Sequence, residues 1–281
     1  NNNKEIEWAK SVGGNSYDKI TSVVATNDGG YIVVGKFTSS NINLENDLKL
    51  TNSGNGSTDG MIIKFNIKGE IEWAQVIGGE SDDYINSIAE TSDGGYVVGG
   101  QFASRSIILD SEKKVKLTNK GEYFYHDGMI IKYDLNGKAE WAKEIGGSSS
   151  DFINSVVETS DGGYIGVGYF ISDSIELGNG LNLTNNGNGD GMIIKVNVKG
   201  EIEWAQAIGG KGYDYINSIA ETTDGGYIVG GYYNSEEIQI NNEVKLIKEY
   251  NSLNNIMLLY INRYGDVTSA ITKEGNKYID K

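Results

Sequence analysis

The sequence predicts an all-β fold, a β-propeller built from four four-stranded repeats, on three observations. A block reading Thr-x-Asp-Gly-Gly-Tyr occurs four times, ending at Tyr31, Tyr96, Tyr164 and Tyr227. Glu-Trp-Ala also occurs four times, with Trp8, Trp73, Trp141 and Trp204 spaced 65, 68 and 63 residues apart. No helical period of 3.6 is sustained anywhere, whereas short β-patterned runs punctuated by Gly, Asn and Asp recur throughout. Self-similarity at a long fixed period marks a repeat architecture, and antiparallel meanders of this period are propeller blades.

The second repeat shows why each strand is expected. Gly78-Gly79 is followed four residues later by Asp83, and the same pairing recurs before Asp18, Asp151 and Asp214. From Tyr84 to Glu90, Ile85, Ser87 and Ala89 share one face while Asn86, Ile88 and Glu90 share the other, as in a strand covered on both sides. Asp93-Gly94 supplies the positive φ angles of a type I′ hairpin turn. Tyr96 to Phe102 returns as the second strand, in which Gly99 and Gly100 permit close backbone approach. A long connector leads to Asp127 to Tyr133, rich in β-formers. The Asn136-Gly137 turn then returns the chain as Ala139 to Ile145, the fourth strand, which carries Trp141. Alternation at 41–44 with 48–51, and at 175–177 with 181–184, predicts a short extra ribbon within the connectors. The whole is expected to be a single propeller domain over 1–281, with blades at about 15–77, 80–145, 148–208 and 211–273. Ile85, Ile153 and Ile216 are expected to be buried near the ring axis.

The fourth repeat decays after its first hairpin. Asn255-Ile256 replaces Asp-Gly, Tyr260 replaces the lysine found at Lys64, Lys132 and Lys195, and Thr268-Ser269 replaces Glu-Trp. Conversely, Ile6 to Val12 is an intact copy of a fourth strand with no third strand before it. Propellers commonly close by pairing an N-terminal strand into the last blade. Residues 5–12 are therefore expected to pair into the blade formed by residues 215 to 273, because an unpaired strand exposes a row of backbone donors and acceptors. The start at Asn1 without Met suggests a mature chain or an excised piece.

Composition narrows the function classes. With 24 Lys+Arg against 39 Asp+Glu, the formal charge is −15, which repels phosphate backbones and argues against nucleic acid as a partner. There is no cysteine, so disulfides and thiolate metal sites are excluded. No run of 18 apolar residues and no signal peptide is present, so no membrane span is expected in this piece.

Taken together, Gly-Gly-x3-Asp, Asp-Gly-Gly-Tyr-x3-Gly, Asp-Gly-Met-Ile-Ile-Lys-x-Asn/Asp-x2-Gly and Glu-Trp resemble the bacterial SBBP β-propeller repeat. The likeness covers residues 5 to about 233 strongly and the remainder weakly. It implies an extracellular or surface-attached protein with no common catalytic residues. The family's name implies seven blades, whereas four are present here.

The candidate site residues follow from what does not repeat. The Asp-Gly-Gly turns lack the alternating oxygen ligands and closing glutamate of an EF-hand, so each aspartate is expected to cap its own turn. They loosely resemble the Asp-box of sialidases, but Arg105 and Arg263 are too few for the three-arginine clamp of such enzymes. Asp18, Asp83, Asp151 and Asp214 are placed to ring a cation in a central channel, although acceptance of backbone N–H groups within each blade is the favoured expectation. Asp59, Asp127 and Asp190 are read with the same caution. The four tryptophans are expected to pack between blades. His126 is the only histidine, which leaves zinc without co-ligands and predicts no transition metal and no cofactor; weak calcium binding by loop carboxylates is left open. It belongs to Tyr123-Phe124-Tyr125-His126, an aromatic cluster on a non-repeating loop. With Tyr17, Asp82 and Tyr213, at the variable position before the recurrent aspartate, these form the candidate ligand-binding set. The expected function is a non-enzymatic extracellular or cell-surface binding propeller that takes a glycan or protein on its loop face. A structural or assembly module, with homo-oligomers formed through edge strands, is the alternative. A carboxylate-based carbohydrate enzyme ranks third, since it needs a pair of acids about 5–10 Å apart in a cleft.

Overall fold

The computed structural model describes residues 5–272 except Asn55, Tyr123 and 249–252. Among these residues there is no helix, and four antiparallel four-stranded sheets follow one another along the chain. Blade 1 comprises β1 (Asp18–Ala25), β2 (Tyr31–Phe37), β5 (Asp59–Phe65) and β6 (Ile71–Ile77), with the ribbon β3 (Asn41–Asn43) and β4 (Lys49–Thr51) inserted in its connector. Blade 2 repeats the plan with β7 (Asp83–Glu90), β8 (Tyr96–Phe102), ribbon β9 (Ser106–Asp110) and β10 (Val115–Thr118), then β11 (Asp127–Tyr133) and β12 (Ala139–Ile145). Blade 3 has β13 (Asp151–Glu158), β14 (Tyr164–Phe170), ribbon β15 (Ser174–Gly178) and β16 (Leu181–Thr184), then β17 (Asp190–Val196) and β18 (Ile202–Ile208). Blade 4 has β19 (Asp214–Glu221), β20 (Tyr227–Tyr233), ribbon β21 (Glu237–Gln239) and β22 (Lys245–Ile247), then β23 (Asn255–Ile261) and β24 (Val267–Thr272). All four connectors thus carry the extra ribbon. The strands expected from the second repeat agree with those observed to within one residue.

The hairpin turns differ from the type I′ expectation. Only the glycine of each Asp-Gly has positive φ, +83° at Gly29 and +81° at Gly94. The Gly29 N–H donates to the Thr26 carbonyl at 2.8 Å, and the Thr26 N–H donates to the Gly30 carbonyl at 2.9 Å. This is the longer hairpin loop, in which a left-handed glycine forms a bulge after an ordinary turn. The aspartate caps it as expected, accepting the Gly30 N–H on Asp28 Oδ1 at 2.8 Å.

Blades interlock through an isoleucine and a glycine. Ile85, Ile153 and Ile216 are fully buried as expected, on the first strands of their blades, each against the glycine of the preceding Asp-Gly. A Cβ on Gly60 would come within 2.7 Å of Ile85, on Gly128 within 3.1 Å of Ile153, and on Gly191 within 2.8 Å of Ile216. Repetition of that glycine is therefore a packing requirement. Asparagine side chains join the same boundaries, Asn86 donating to the Ile153 carbonyl and Asn154 to the Ile216 carbonyl, both at 2.8 Å.

Each of the first three blades also buries a lysine. Lys64, Lys132 and Lys195 sit in the third strands with side chains only 2 % exposed. Lys64 Nζ reaches Asp28 of the hairpin turn at 2.7 Å and Glu72 of the fourth strand at 3.0 Å. Lys132 repeats this with Asp93 and Glu140, and Lys195 with Asp161 and Glu203. Burial alone would lower the Lys64 pKa, but hydrogen bonds to Asp28 and Glu72 outweigh it and raise it. The repeated Asp, Lys and Glu are thus one cross-strand ion cluster, lost in blade 4, where Tyr260 replaces the lysine and Thr268 the glutamate.

The expected closure by residues 5–12 is not formed. β24 holds the outer place of blade 4, paired with β23, and residues 5–12 lie in no strand. Trp8 packs instead on blade 1, its ring 5.6 Å from Tyr31 and 6.3 Å from Phe65. The physical reason is that degenerate Val267 to Thr272 still satisfies the ladder, leaving no vacancy in that sheet.

Candidate functional site

The connector end of the blades carries two sets of polar groups. The recurrent aspartates are fully engaged in scaffold. Asp83 accepts from the Gly79 N–H at 2.9 Å, the Ser104 hydroxyl at 2.7 Å, and the Ala103 and Ser104 N–H groups at 3.1 and 3.2 Å. Asp151 and Asp214 are held in the same way, and Asp18 in blade 1 likewise accepts from Gly14 and Ser39. The third-strand aspartates differ. Asp59, Asp127 and Asp190 are fully buried, and one carboxylate oxygen of each has no hydrogen-bond partner. Burial pushes Asp83 and Asp127 up to about 7 and Asp151 and Asp190 up to about 6, with a neighbouring aspartate across the blade boundary adding to the shift of Asp83, Asp127 and Asp190. Among the described residues, no three His, Cys, Asp or Glu side chains converge as metal ligands.

The position after each recurrent aspartate varies, reading Lys19, Tyr84, Phe152 and Tyr215. Its cross-strand partner varies too, as Lys36, Gln101, Tyr169 and Tyr232. Rotation from blade to blade joins these side chains into one track. Lys36 Nζ lies 4.4 Å from the Tyr84 ring centre. Tyr84 meets His126 at 5.7 Å, and His126 meets Phe152 at 5.8 Å. Phe152 stacks on Tyr169 at 4.5 Å, Tyr169 meets Tyr215 edge-on at 4.4 Å, and Tyr215 meets Tyr232 at 4.8 Å. The rings are half-buried. Burial pushes Tyr169 up to about 12 and raises Tyr84 and Tyr215, so all three keep their hydroxyl protons at neutral pH.

The track ends beside a polar cleft. Tyr213, 44 % exposed, stacks on Tyr215 at 6.2 Å. Next to it, Asn186, Asn188, Lys211, Asn234, Glu237 and Gln239 line a cleft of about 720 Å³ between the loops of blades 3 and 4. Amides beside a partly exposed ring present hydrogen-bonding edges next to an apolar face.

The expected site residues distribute unevenly over this surface. His126 and Tyr213 both join the track, at its middle and its end. His126 also has a scaffold duty, its carbonyl accepting the Asp151 N–H at 2.6 Å. Burial lowers its pKa, against a pull upward from Asp82. Phe124 and Tyr125 are exposed on the adjoining loop, Phe124 at φ +79°, and Tyr123 lies outside the described residues. Tyr17 is exposed on blade 1. Asp82 takes a structural bond, accepting the Thr58 N–H at 2.8 Å. Sequence reasoning missed Lys36, Tyr84, Phe152, Tyr169, Tyr215 and Tyr232. The available signal was an aromatic after the recurrent aspartate in three repeats of four.

No family model matches the chain, so the likeness to the SBBP repeat rests on motif alone. No curated protein matches either. Among solved structures, it is similar to a protein of unknown function from Bacteroides caccae at 12 % identity, covering 76 % of this chain and 90 % of that one, with a TM-score of 0.22. The extracellular domain of a protein described as a one component system of B. thetaiotaomicron is similar at 16 % identity, covering 92 % of this chain and 37 % of that one, with a TM-score of 0.28. The Pan2 WD40 domain of Neurospora crassa follows at 10 % identity, covering 91 % and 86 %, with a TM-score of 0.26. Likenesses this distant carry no argument, and the repeat-propeller architecture rests on the strand pairing itself.

Proposed function

We propose that this chain is a non-enzymatic binding propeller that takes a glycan on its connector face, at the extracellular or cell-surface side suggested by its motifs. The observation that carries the reading is the continuous aromatic track ending at Tyr213 beside an amide-lined cleft. Ring faces accept the apolar faces of sugars, and Asn and Gln amides suit hydroxyl groups. The track also occupies positions that vary between otherwise uniform repeats, where a site is grafted onto a scaffold. Against an enzyme stands the burial of the paired boundary aspartates, which no substrate can reach without opening a blade joint. No helix among the described residues is long and apolar enough to cross a membrane.

The test is a microarray of polysaccharides and oligosaccharides, followed by calorimetry on whichever probe binds. Tyr213→Ala and Asn188→Ala should each weaken binding tenfold or more while the melting temperature stays within about 2 °C of the parent. Absence of binding to every glycan on the array, or undiminished binding by both variants, overturns the proposal.

A further inference from the structure

The leading edge of blade 1 has the features of a blade boundary without a blade against it. At the three formed boundaries, the isoleucine and the next core residue of the first strand are hidden: Ile85 and Ile88 at 0 % and 4 %, Ile153 and Val156 at 0 % and 2 %, Ile216 and Ile219 at 0 % and 6 % exposed. Their counterparts on β1, Ile20 and Val23, are 47 % and 61 % exposed.

Residues 5–12 belong to the same unfinished boundary. Glu5-Ile6-Glu7-Trp8-Ala9 is identical to Glu201-Ile202-Glu203-Trp204-Ala205. Trp8 covers Gly69 as Trp204 covers Gly265, a Cβ on those glycines falling 2.7 and 2.9 Å from the indole. The tryptophan therefore already occupies the seat of a fourth strand belonging to a blade ahead of blade 1. Yet Ile6 is 85 % exposed, whereas Ile71, Ala139 and Ile202 at the same repeat position are 6 %, 1 % and 8 % exposed.

We infer that this edge is a docking site for a three-stranded unit of the same repeat, which residues 5–12 complete as its fourth strand. The chemistry required of the partner is explicit. Its third strand must carry glycine where Gly60, Gly128 and Gly191 receive an isoleucine, so that Ile20 can enter. Its first strand must place an Asn or Thr side chain to donate to the Ile20 carbonyl, as Thr21 donates to the Ile85 carbonyl at 2.7 Å. One link is missing, because Ala25 stands where Glu90, Glu158 and Glu221 accept the preceding turn's N–H.

Blade 4 does not meet these requirements, whether from the same molecule or a second copy. Ile256, 60 % exposed, stands where the receiving glycine is needed. β24 also fills the place residues 5–12 would take.

The experiment joins residues 148–200, the first three strands of blade 3 with their closing turn, ahead of Glu5 in the full chain. The joined unit should raise the melting temperature by several degrees and slow amide hydrogen exchange of residues 6–12 and β1 at least tenfold. A second version with Gly191→Ile in the added unit only should lose both gains, and it distinguishes docking from a merely tethered domain. Unchanged exchange at residues 6–12 in the joined protein overturns the inference. So does strong protection of those residues in the unmodified monomer, which would mean closure on blade 4. Concentration-dependent association of the unmodified chain in ultracentrifugation, abolished by Ile20→Asp, would overturn it in favour of a second copy.

Discussion

Trp73 lies across Gly137, so close that a Cβ on that glycine would fall 2.9 Å from the indole ring. The glycine has φ +79° and closes the last turn of the following blade. Two reasons for glycine thus coincide at one position, a left-handed backbone and a ring laid directly on it. Gly137→Ala should destabilise the protein by about 1–3 kcal/mol in urea titrations. Trp73 is half-buried, so Trp73→Ala should cost about 2–3 kcal/mol, less than a fully buried tryptophan. Loss of ligand binding with unchanged stability would assign the tryptophans to the site.

The buried lysines make an asymmetric prediction. Lys132→Met removes the ammonium and leaves Asp93 and Glu140, 56 % and 41 % exposed, to be solvated. It should cost about 1 kcal/mol or less. Asp93→Ala combined with Glu140→Ala leaves the ammonium buried without either carboxylate and should cost about 3–5 kcal/mol. Blade 4, which carries Tyr260 at this position, already dispenses with the lysine. Chemical denaturation of the two variants checks the order.

Stability should rise as the pH falls from 8 towards 5. Asp83 and Asp127 are pushed up to about 7, and Asp151 and Asp190 up to about 6, so the folded state binds protons that the unfolded chain releases. For groups with a raised folded pKa, the stabilisation is complete below the unfolded value near 4 and is lost as the pH rises through 6 to 7. Asp28 and Asp93, lowered to about 2 by their hydrogen bonds, oppose this only below about pH 4. Melting temperatures between pH 4 and 8 test the slope, and Asp127→Asn should reduce it.

His126 should titrate below its ordinary value of 6.5, because burial disfavours the imidazolium. As the only histidine, its two ring C–H signals can be followed in proton NMR without overlap from another imidazole. A midpoint above 6.5 would mean that Asp82 dominates its surroundings. With the ring neutral, glycan affinity should not change between pH 7 and 8.

The strands were legible because each is bounded by its own chemistry. Asp-Gly at 93–94 and Asn-Gly at 136–137 mark turns, and Val97, Val98, Ile130 and Ile131 mark β-runs between them. Lys132 was not legible as buried, since a lysine in a β-run reads as a solvent-facing position until its two carboxylates are placed beside it. The track from Lys36 to Tyr232 was hidden for a different reason. Tyr84, Phe152 and Tyr215 are separated by more than sixty residues, and only the turn from blade to blade brings them together. Likewise Val267 to Thr272 lost its Glu-Trp motif but kept enough backbone pairing to remain a strand, which motif counting does not detect.

The seating of each tryptophan on the next repeat also orders assembly in time. Trp73 leaves the ribosome well before Gly137, so its ring has no floor until the following blade has closed its last turn. Each sheet is locally complete once its own hairpins form, yet its outer flank is sealed only by its successor. Synthesis therefore carries one unfinished flank forward along the chain. The last ring to find its floor is Trp204, on Gly265, so the blade with the most degraded motif finishes the fold.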